Sequence, residues 1–479
     1  AIALWLNGER AYRRSEFMLA REMLERAVGE DSLLVVAAIR GAQAASWETD
    51  LGGANSLLAV AAAHADRLPP RYKPLIAGLQ AYVRGDADSA RNALRLASSL
   101  DANWLEPKMA LGEVYYHLSP SDGTSDSTAL ALFEAVAQAD TGFAPPLTHL
   151  AEAALRAGRL ERADDLLGRM ARLRPTGGPP ARLQLMRACV AAPSKARWSE
   201  WVAADSVWTV LYAGRLLAVG GAQPACAEGA FRTVLTARDV PVSISWGALL
   251  ELQGLLLAER RYDELRTLLD STAATGNTGA RLLYVLDGMA GAPTMAQGAA
   301  TAALARQLFG ATYGTAKPQS RWVLALWHAA RGDLAMVETI AVSLDSLARA
   351  TGGRHERLVA AAVAAHLSLA RHDTVQALAR FRALHANAAR DSLQWSLFES
   401  LAVERLTLAR LLSARREYAE AYRVAQSFDQ EEPIMNLPYL GESLRIREAA
   451  ARALGRRDAA AEARARLKLL DDERMKVVR

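Results

Sequence analysis

Small and apolar residues recur at a fixed spacing in the stretch 71–175. Gly78 is followed by a turn at Gly85 and then by Leu94, and the same pattern begins again thirty-four residues later at Gly112. Within each copy the apolar residues lie three or four positions apart, which is the period of a helix that buries one face. A fixed repeat of this length predicts a solenoid of stacked helix pairs.

The positions in this pattern have steric reasons. Gly85 and Gly158 stand where one helix must end and the chain reverse, a left-handed conformation that glycine adopts without a Cβ penalty. Small residues in both helices of a pair let the helix axes approach to ~8–10 Å, and larger residues then fill the space against the next pair. The predicted small positions are Gly78, Ala90, Gly112, Ala129, Ala151 and Ala163.

This register resembles the tetratricopeptide repeat (TPR) family, whose unit is a helix-turn-helix with small residues at fixed positions. The resemblance implies an all-α fold, a right-handed TPR-like superhelical solenoid of about 10–12 antiparallel helix pairs. The segment 67–86 is also similar to TPR regions attached to bacterial signalling proteins, such as Ser/Thr kinases and transcriptional regulators.

The repeats divide the chain into three parts. Residues 1–177 are predicted to form a regular TPR array of about five repeats, 178–240 a degenerate junction, and 241–479 a second TPR-like array with a C-terminal capping helix. The second array has longer repeats, which predict longer helices or longer connections. Its turns precede Leu334, Thr374, Tyr418 and Ala459.

Three segments interrupt the pattern. Residues 119–128 read as an exposed loop inserted in the fourth unit, and 276–315 as one atypical helix pair. For 177–180 two interpretations stay open, a hinge between the two arrays and a packed irregular turn.

Composition and charge agree with this architecture. Of the 479 residues, 51% are hydrophobic and 6% aromatic, which suits helices built from alanine, leucine and arginine. The net charge is +5, but arginines alternate with Glu and Asp along the helices, which is typical of a solvated face. Nucleic acid is therefore an unlikely partner. Apolar runs fall short of the ~18 residues that span a bilayer, so no membrane insertion is expected.

The two cysteines, Cys189 and Cys226, lie about one repeat apart. Equivalent positions in neighbouring repeats are separated by ~8–10 Å, whereas a disulfide needs Cα atoms within ~7 Å. The spacing predicts two free thiols, and a bridge would require non-equivalent positions.

Patterns typical of catalysis are missing from the sequence. His355-Glu356 lacks a second histidine at the zincin spacing, and the stretch 310–317 lacks the spacing of a phosphate-binding loop. We therefore predict a protein that is not an enzyme, with no catalytic residues, no metal site and no cofactor, and interpret the isolated histidines as packing or surface residues.

The candidate site is a surface. In the family, the first helix of each pair lines a concave groove that holds peptides or protein segments. The register places these candidate partner-binding residues on that face: Trp5, Tyr12, Arg13, Trp47, Tyr82, Glu113, Tyr116 and His117. Tyr12, Tyr82 and Tyr116 occupy one repeat position and would form a ladder of rings with polar tips. The alternative is that these tyrosines pack between neighbouring helices.

The leading hypothesis is a non-catalytic scaffold that binds a protein or peptide in this groove. The alternative is the sensory or regulatory region of a longer bacterial signalling protein, whose catalytic or DNA-binding domain lies outside this chain. The family's clamp of lysines and asparagines has no counterpart, so chaperone C-terminal peptides are disfavoured as ligands. The compartment stays open: the cytoplasm is favoured, and an extracytoplasmic location is the alternative if an upstream segment is missing before Ala1.

Overall fold

The computed structural model describes residues 1–118, 126–173, 180–193, 197–204, 206–274, 279–289, 317–430 and 433–477. Within these ranges the chain forms 26 α-helices and no strand. Sequence neighbours pack against each other in pairs along the chain, which confirms the predicted all-α solenoid.

The first array and the junction contain fourteen helices. They are α1 Ile2–Arg13, α2 Phe17–Glu30, α3 Val35–Trp47, α4 Leu51–Ala63, α5 Tyr72–Arg84, α6 Ala87–Leu100, α7 Leu105–His117, α8 Asp126–Ala139, α9 Pro145–Arg156, α10 Leu160–Leu173, α11 Ala181–Ala191, α12 Trp198–Ala204, α13 Val207–Ala218 and α14 Pro224–Thr236.

The remaining helices follow in the second half. They are α15 Val242–Ala258, α16 Tyr262–Ala274, α17 Gly279–Met289, α18 Pro318–Ala330, α19 Leu334–Thr351, α20 Arg354–Ala370, α21 Thr374–Arg382, α22 Arg390–Trp395, α23 Ala402–Ala414, α24 Tyr418–Gln426, α25 Asn436–Ala453 and α26 Arg457–Val477.

The turns inside the pairs share one construction. A residue with positive φ ends the first helix, as predicted for Gly85 (φ +79°) and Gly158 (φ +67°). An aspartate then often caps the second helix: the Asp86 side chain accepts a hydrogen bond from the backbone N–H of Ser89 at 3.0 Å. Non-glycine residues hold the same left-handed conformation in other turns: Ser15, Thr49, Arg260, His372 and Arg416.

The small residues act as the sequence predicts. A Cβ built on Gly78 would lie 2.6 Å from Cγ of Leu94, and one on Gly112 would lie 2.5 Å from Cε1 of Phe133. Each glycine thus admits the large side chain of the second helix of its own pair, and helix axes approach closely as a result.

The solenoid closes on itself within its first five pairs. The backbone N–H of Ala144, just before α9, donates to the carbonyl oxygen of Arg13 at 2.8 Å. The rings of Tyr12 and Phe143 lie 6.0 Å apart beside this bond. The end of α1 therefore touches the start of the fifth pair, and the concave side is an enclosed interior.

The second half also closes, and some of its helices are longer than those of the first half. Helices α15, α19, α20 and α25 have 17 or 18 residues, against 12 to 14 in the helices of the first five pairs. Helix α25 packs against α15, where a Cβ on Gly254 would lie 2.9 Å from Cδ of Pro438. Helix α26 reaches the junction, since Arg466 donates to the carbonyl oxygen of Gly220. Arg466 and Arg447 also pair with Asp429.

A connection between α21 and α23 crosses the interior of the molecule. We call residues 384–395 the inner segment: 384–389 have no regular secondary structure and Arg390–Trp395 form the short helix α22. Its backbone meets Gly85 at the end of α5, and its far end meets α13 and α15. The inner segment thus contacts both α5 near the beginning of the chain and the helices α13 and α15.

Cys189 and Cys226 form a disulfide, with their Cα atoms 5.9 Å apart, so the prediction of two free thiols is wrong. Cys189 lies near the end of α11, whereas Cys226 lies in the first turn of α14. These positions are not equivalent in the repeat, and the ~8–10 Å repeat spacing does not separate them.

Some predictions concern residues outside the described part of the chain. They include most of the loop 119–128, the segment 177–179 of the hinge-or-turn region, and most of the predicted atypical pair at 276–315, of which only α17 is described. In the part that is described, no helix is both long and apolar enough to cross a bilayer. The division into two arrays with a junction stays a prediction.

Candidate functional site

The predicted groove residues all lie on first helices of the early pairs. Trp5, Tyr12 and Arg13 belong to α1, Trp47 to α3 and Tyr82 to α5, and α7 carries the remaining three, Glu113, Tyr116 and His117. The structure brings most of them to the inner wall. Most of them are buried rather than open to a partner, whereas Trp5, Arg13 and Trp47 remain partly exposed.

The three tyrosines at the shared repeat position are buried, with exposures of 2% for Tyr12, 6% for Tyr82 and 1% for Tyr116. The Tyr12 ring meets Phe17 edge-on at 5.4 Å and lies 4.5 Å from the guanidinium carbon of Arg40. These contacts fit the interpretation that the tyrosines pack between helices, and their role in holding a partner stays a prediction.

Arg13 and Trp5 lie apart from the other candidates. The Arg13 guanidinium pairs with Asp140 at 2.9 Å and lies over the ring of Phe143, so it ties α1 to the fifth pair. Trp5 is half-buried near the beginning of α1 and packs against the core. Neither side chain joins the cluster described next.

The densest polar cluster surrounds Glu113 and His117 on α7 and His149 on α9. His149 Nε2 lies 3.1 Å from one oxygen of Glu113, and His117 Nε2 lies 3.3 Å from the other. On the opposite side of the ring, His149 Nδ1 lies 2.9 Å from Glu152 Oε2. The imidazole of His149 therefore sits between two buried carboxylates.

Electrostatics favour opposite charges in this cluster. Burial alone would lower the pKa of His149, but Glu113 and Glu152 raise it to about 9. Burial would likewise raise the pKa of Glu113, yet His149 and His117 hold that pKa well below its usual range. Without another ligand the group is thus an imidazolium flanked by two carboxylates.

Arginines and aromatic rings hold the cluster in place. Arg182 donates to Glu152 Oε1 from Nη2 at 2.9 Å and from Nε at 3.2 Å. The rings of Tyr116 and Phe133 lie 4.3 Å and 4.8 Å from the His149 ring. Burial and these contacts leave the imidazole little freedom to rotate.

A cavity of about 260 Å³ opens beside the two histidines. Trp47 forms one wall and stacks on His149 at 4.9 Å. Arg182 and the inner-segment residue Arg390 line other walls. The arrangement offers two kinds of chemistry: nitrogen and carboxylate donors for a cation at the histidines, and guanidinium groups for an anion farther out.

Sequence reasoning found half of the cluster and missed His149, Glu152, Arg182 and Arg390. Glu152 follows Ala151 as Glu113 follows Gly112, so continuing the register into the fifth pair would have placed it on the same face. The charged residues of α9 also interrupt an otherwise apolar helix. Nothing in the local pattern connects Arg390 with this region, because it lies 344 positions from Ser46, which it reaches.

Comparisons with known proteins give a distant likeness only. No family model matches the chain, and neither does any curated protein. Among solved structures it is similar to yeast Tom70 (12% identity over 95% of this chain and 96% of that one, TM-score 0.30). It is also similar to a chain of Naa15/Naa10 bound to HypK-THB (14% identity over 98% of this chain and 68% of that one, TM-score 0.23). A third similar structure is the P58(IPK) TPR domain (13% identity over 86% of this chain and 98% of that one, TM-score 0.21). At these TM-scores the likenesses carry no argument about this chain.

Proposed function

We propose that this chain is a polypeptide-binding scaffold, and that the interior of its first array takes a segment without regular secondary structure that carries small side chains at alternate positions. The observation that carries the proposal is the inner segment, which occupies this interior in cis. It acts as a built-in ligand that an external segment of the same chemistry would replace.

The contact is made by backbone against backbone. A Cβ built on Gly85 would lie 2.2 Å from the carbonyl carbon of Ala388 and 2.4 Å from the backbone nitrogen of Ala389. Only a glycine lets the inner segment lie this close to the end of α5.

Burial along the inner segment alternates from one residue to the next. Ala386, Ala388 and Arg390 are buried, whereas His385 is exposed and Asn387 is partly exposed. The backbone N–H of Asn387 donates to the carbonyl oxygen of His385 at 3.2 Å, a tight turn that precedes the contact with Gly85. The interior therefore selects two small residues and an arginine at every second position.

Arg390 anchors the segment at the wall of the groove. Its Nη1 reaches to 3.5 Å from the carbonyl oxygen of Ser46, and it closes a small cavity lined by Tyr12 and Tyr82. Two of the predicted tyrosines thus face the segment. These rings contribute buried surface area and shape complementarity to recognition, as expected for aromatic side chains at an interface.

The test measures binding in trans after the segment has been expelled. Ala388→Glu places a charge in the contact with Gly85, and His385→Glu adds the same charge on the exposed side as a matched control. The probe is a fluorescent peptide with the sequence of residues 382–396, and the readout is its anisotropy. We expect the Ala388→Glu protein to bind it at least about tenfold more tightly than wild type or His385→Glu, because its site is vacant.

Absence of peptide binding to Ala388→Glu, with hydrogen exchange showing that 384–389 have been released, would overturn the proposal. If that variant loses helicity, Arg390→Glu expels the segment at its other anchor and is judged by the same two measurements. A peptide carrying the Arg390→Glu change serves as the ligand control and should bind more weakly.

The other parts of the functional prediction remain predictions. They are the non-catalytic role, the low expectation of nucleic-acid binding, and the alternative of a sensory or regulatory region within a longer bacterial signalling protein.

A further inference from the structure

We infer that Glu113, His117 and His149 form a binding site for a divalent cation of the zinc class, with an open coordination position on the side of the cavity. Among the described residues these are the three metal-ligand side chains whose donor atoms gather within 4.8 Å of one another. The inference is independent of peptide binding by the inner segment.

The spacing of the donor atoms suits one small cation. Ligand atoms bound at ~2.0–2.2 Å from zinc lie ~3.3–3.5 Å apart along the edges of a tetrahedron. His149 Nε2 lies 3.1 Å from Glu113 Oε1 and His117 Nε2 lies 3.3 Å from Glu113 Oε2, so each histidine nitrogen is already about one edge length from an oxygen of this carboxylate. The donor atoms of the two histidines lie within 4.8 Å of each other, and a bound cation would draw them together along this third edge.

Helix geometry explains how the donors meet. Glu113 and His117 are four residues apart on α7 and therefore share a face. His149 approaches from α9, which packs in the next pair of the solenoid. Two rigid helices thus carry all three ligands, and the site does not depend on a loop.

A second carboxylate orients the critical imidazole. Glu152 Oε2 lies 2.9 Å from His149 Nδ1 and accepts the Nδ1–H hydrogen bond. Nε2–H of the imidazolium faces Glu113 at 3.1 Å, and a bound cation would replace that proton. Arg182 holds the other oxygen of Glu152. This carboxylate–histidine–metal arrangement is the usual outer support of a protein zinc ligand.

The donor set decides the class of metal. Two imidazoles and one carboxylate suit Zn²⁺, with Co²⁺ and Ni²⁺ as chemical substitutes, whereas Mg²⁺ and Ca²⁺ prefer all-oxygen ligands. Three protein ligands leave a fourth position. His117 and His149 both line the 260 Å³ cavity, which has room for several water molecules, so a solvent molecule can complete the tetrahedron.

The experiment is a zinc titration of the full chain by calorimetry after dialysis against a chelator. We expect one zinc per chain, a loss of about 100-fold or more in affinity for Glu113→Gln and for His117→Gln, and a loss of about 10–100-fold for Glu152→Gln. The matched control is His366→Gln, because His366 is an equally buried histidine that faces a buried glutamate, Glu404, at 3.2 Å. It should bind zinc like wild type.

Zinc binding by Glu113→Gln and His117→Gln with wild-type affinity, or no uptake by wild type, would refute the site. A second measurement needs no variant: Co²⁺ bound at a tetrahedral site gives an intense visible absorption band. Addition of Co²⁺ to the wild-type chain should produce this band, and Zn²⁺ should remove it. A spectrum identical to that of hydrated Co²⁺ would equally contradict the inference.

Discussion

Gly85→Ala probes the contact between the first array and the inner segment. The substitution adds one carbon atom at a position with φ +79°, and that atom would lie 2.2 Å from the carbonyl carbon of Ala388 and 2.3 Å from its oxygen. Both neighbours are backbone atoms, so rotation of a side chain cannot relieve the overlap. The inner segment must move by ~1.3 Å to restore an ordinary contact of ~3.5 Å.

A matched control separates this clash from the cost of the backbone conformation. Gly332 has φ +74° in the equivalent turn between α18 and α19, and a Cβ there would have no atom within 4 Å. Alanine in a left-handed conformation costs ~1–2 kcal/mol at either position. Overpacking typically adds ~1–3 kcal/mol, so we expect Gly85→Ala to cost ~2–5 kcal/mol and Gly332→Ala only ~1–2 kcal/mol.

Hydrogen exchange measured by mass spectrometry can locate the effect, because a solenoid opens locally rather than as one unit. In Gly85→Ala the amides of 384–389 should exchange markedly faster than in wild type. In Gly332→Ala they should exchange at the wild-type rate, while urea denaturation gives the stability of both variants. Equal exchange of 384–389 and equal stability in the two variants would show that the segment does not pack on Gly85.

Three further predictions concern stability. Replacing Cys189 and Cys226 with serine opens a closed loop of 37 residues. In the chain-entropy model this change should lower the free energy of unfolding by ~3–4 kcal/mol. A reduced wild-type protein that unfolds at the same urea concentration as the oxidised protein would contradict this expectation. Burial alone would raise the pKa of Asp429, but its two arginine partners lower that pKa from 3.8 to about 2. The resulting ~2 kcal/mol of stability is present above pH 4 and should be lost as the pH falls through 2. Asp429→Asn should remove this pH-dependent loss of stability from an acid titration. Gly112→Ala should lower the stability by ~1–2 kcal/mol through overpacking. Gly168→Ala should instead stabilise α10 by up to ~1 kcal/mol, because its Cβ would meet only an arginine side chain at 3.7 Å. If thermal denaturation showed that both variants shift the melting temperature in the same direction, the packing argument would be refuted.

Local features of the fold were predictable because short-range sterics decide them. Gly78 and Gly112 recur at the repeat interval and admit Leu94 and Phe133, as the pattern predicts. Gly85 ends its helix in the left-handed conformation for the same reason. Each of these features depends on residues within about twenty positions of one another.

The candidate site was predictable only in part. The helical period places Glu113, Tyr116 and His117 on the inner wall, since all three lie on one helix. The approach of His149 depends on how α7 and α9 pack, and the position of Arg390 depends on the path of a connection from the other end of the chain. Neither is visible in the spacing of residues along a single repeat.

The amino-acid sequence by itself determines that this chain is a stack of helix pairs and where most of its turns fall, because helical period and side-chain size act between near neighbours. Only the tertiary structure decides that the solenoid closes, that the inner segment fills its interior, and that Cys189 meets Cys226. Small changes in the packing angle of successive pairs accumulate along the array, so contacts between distant repeats follow from the whole chain and not from any one repeat.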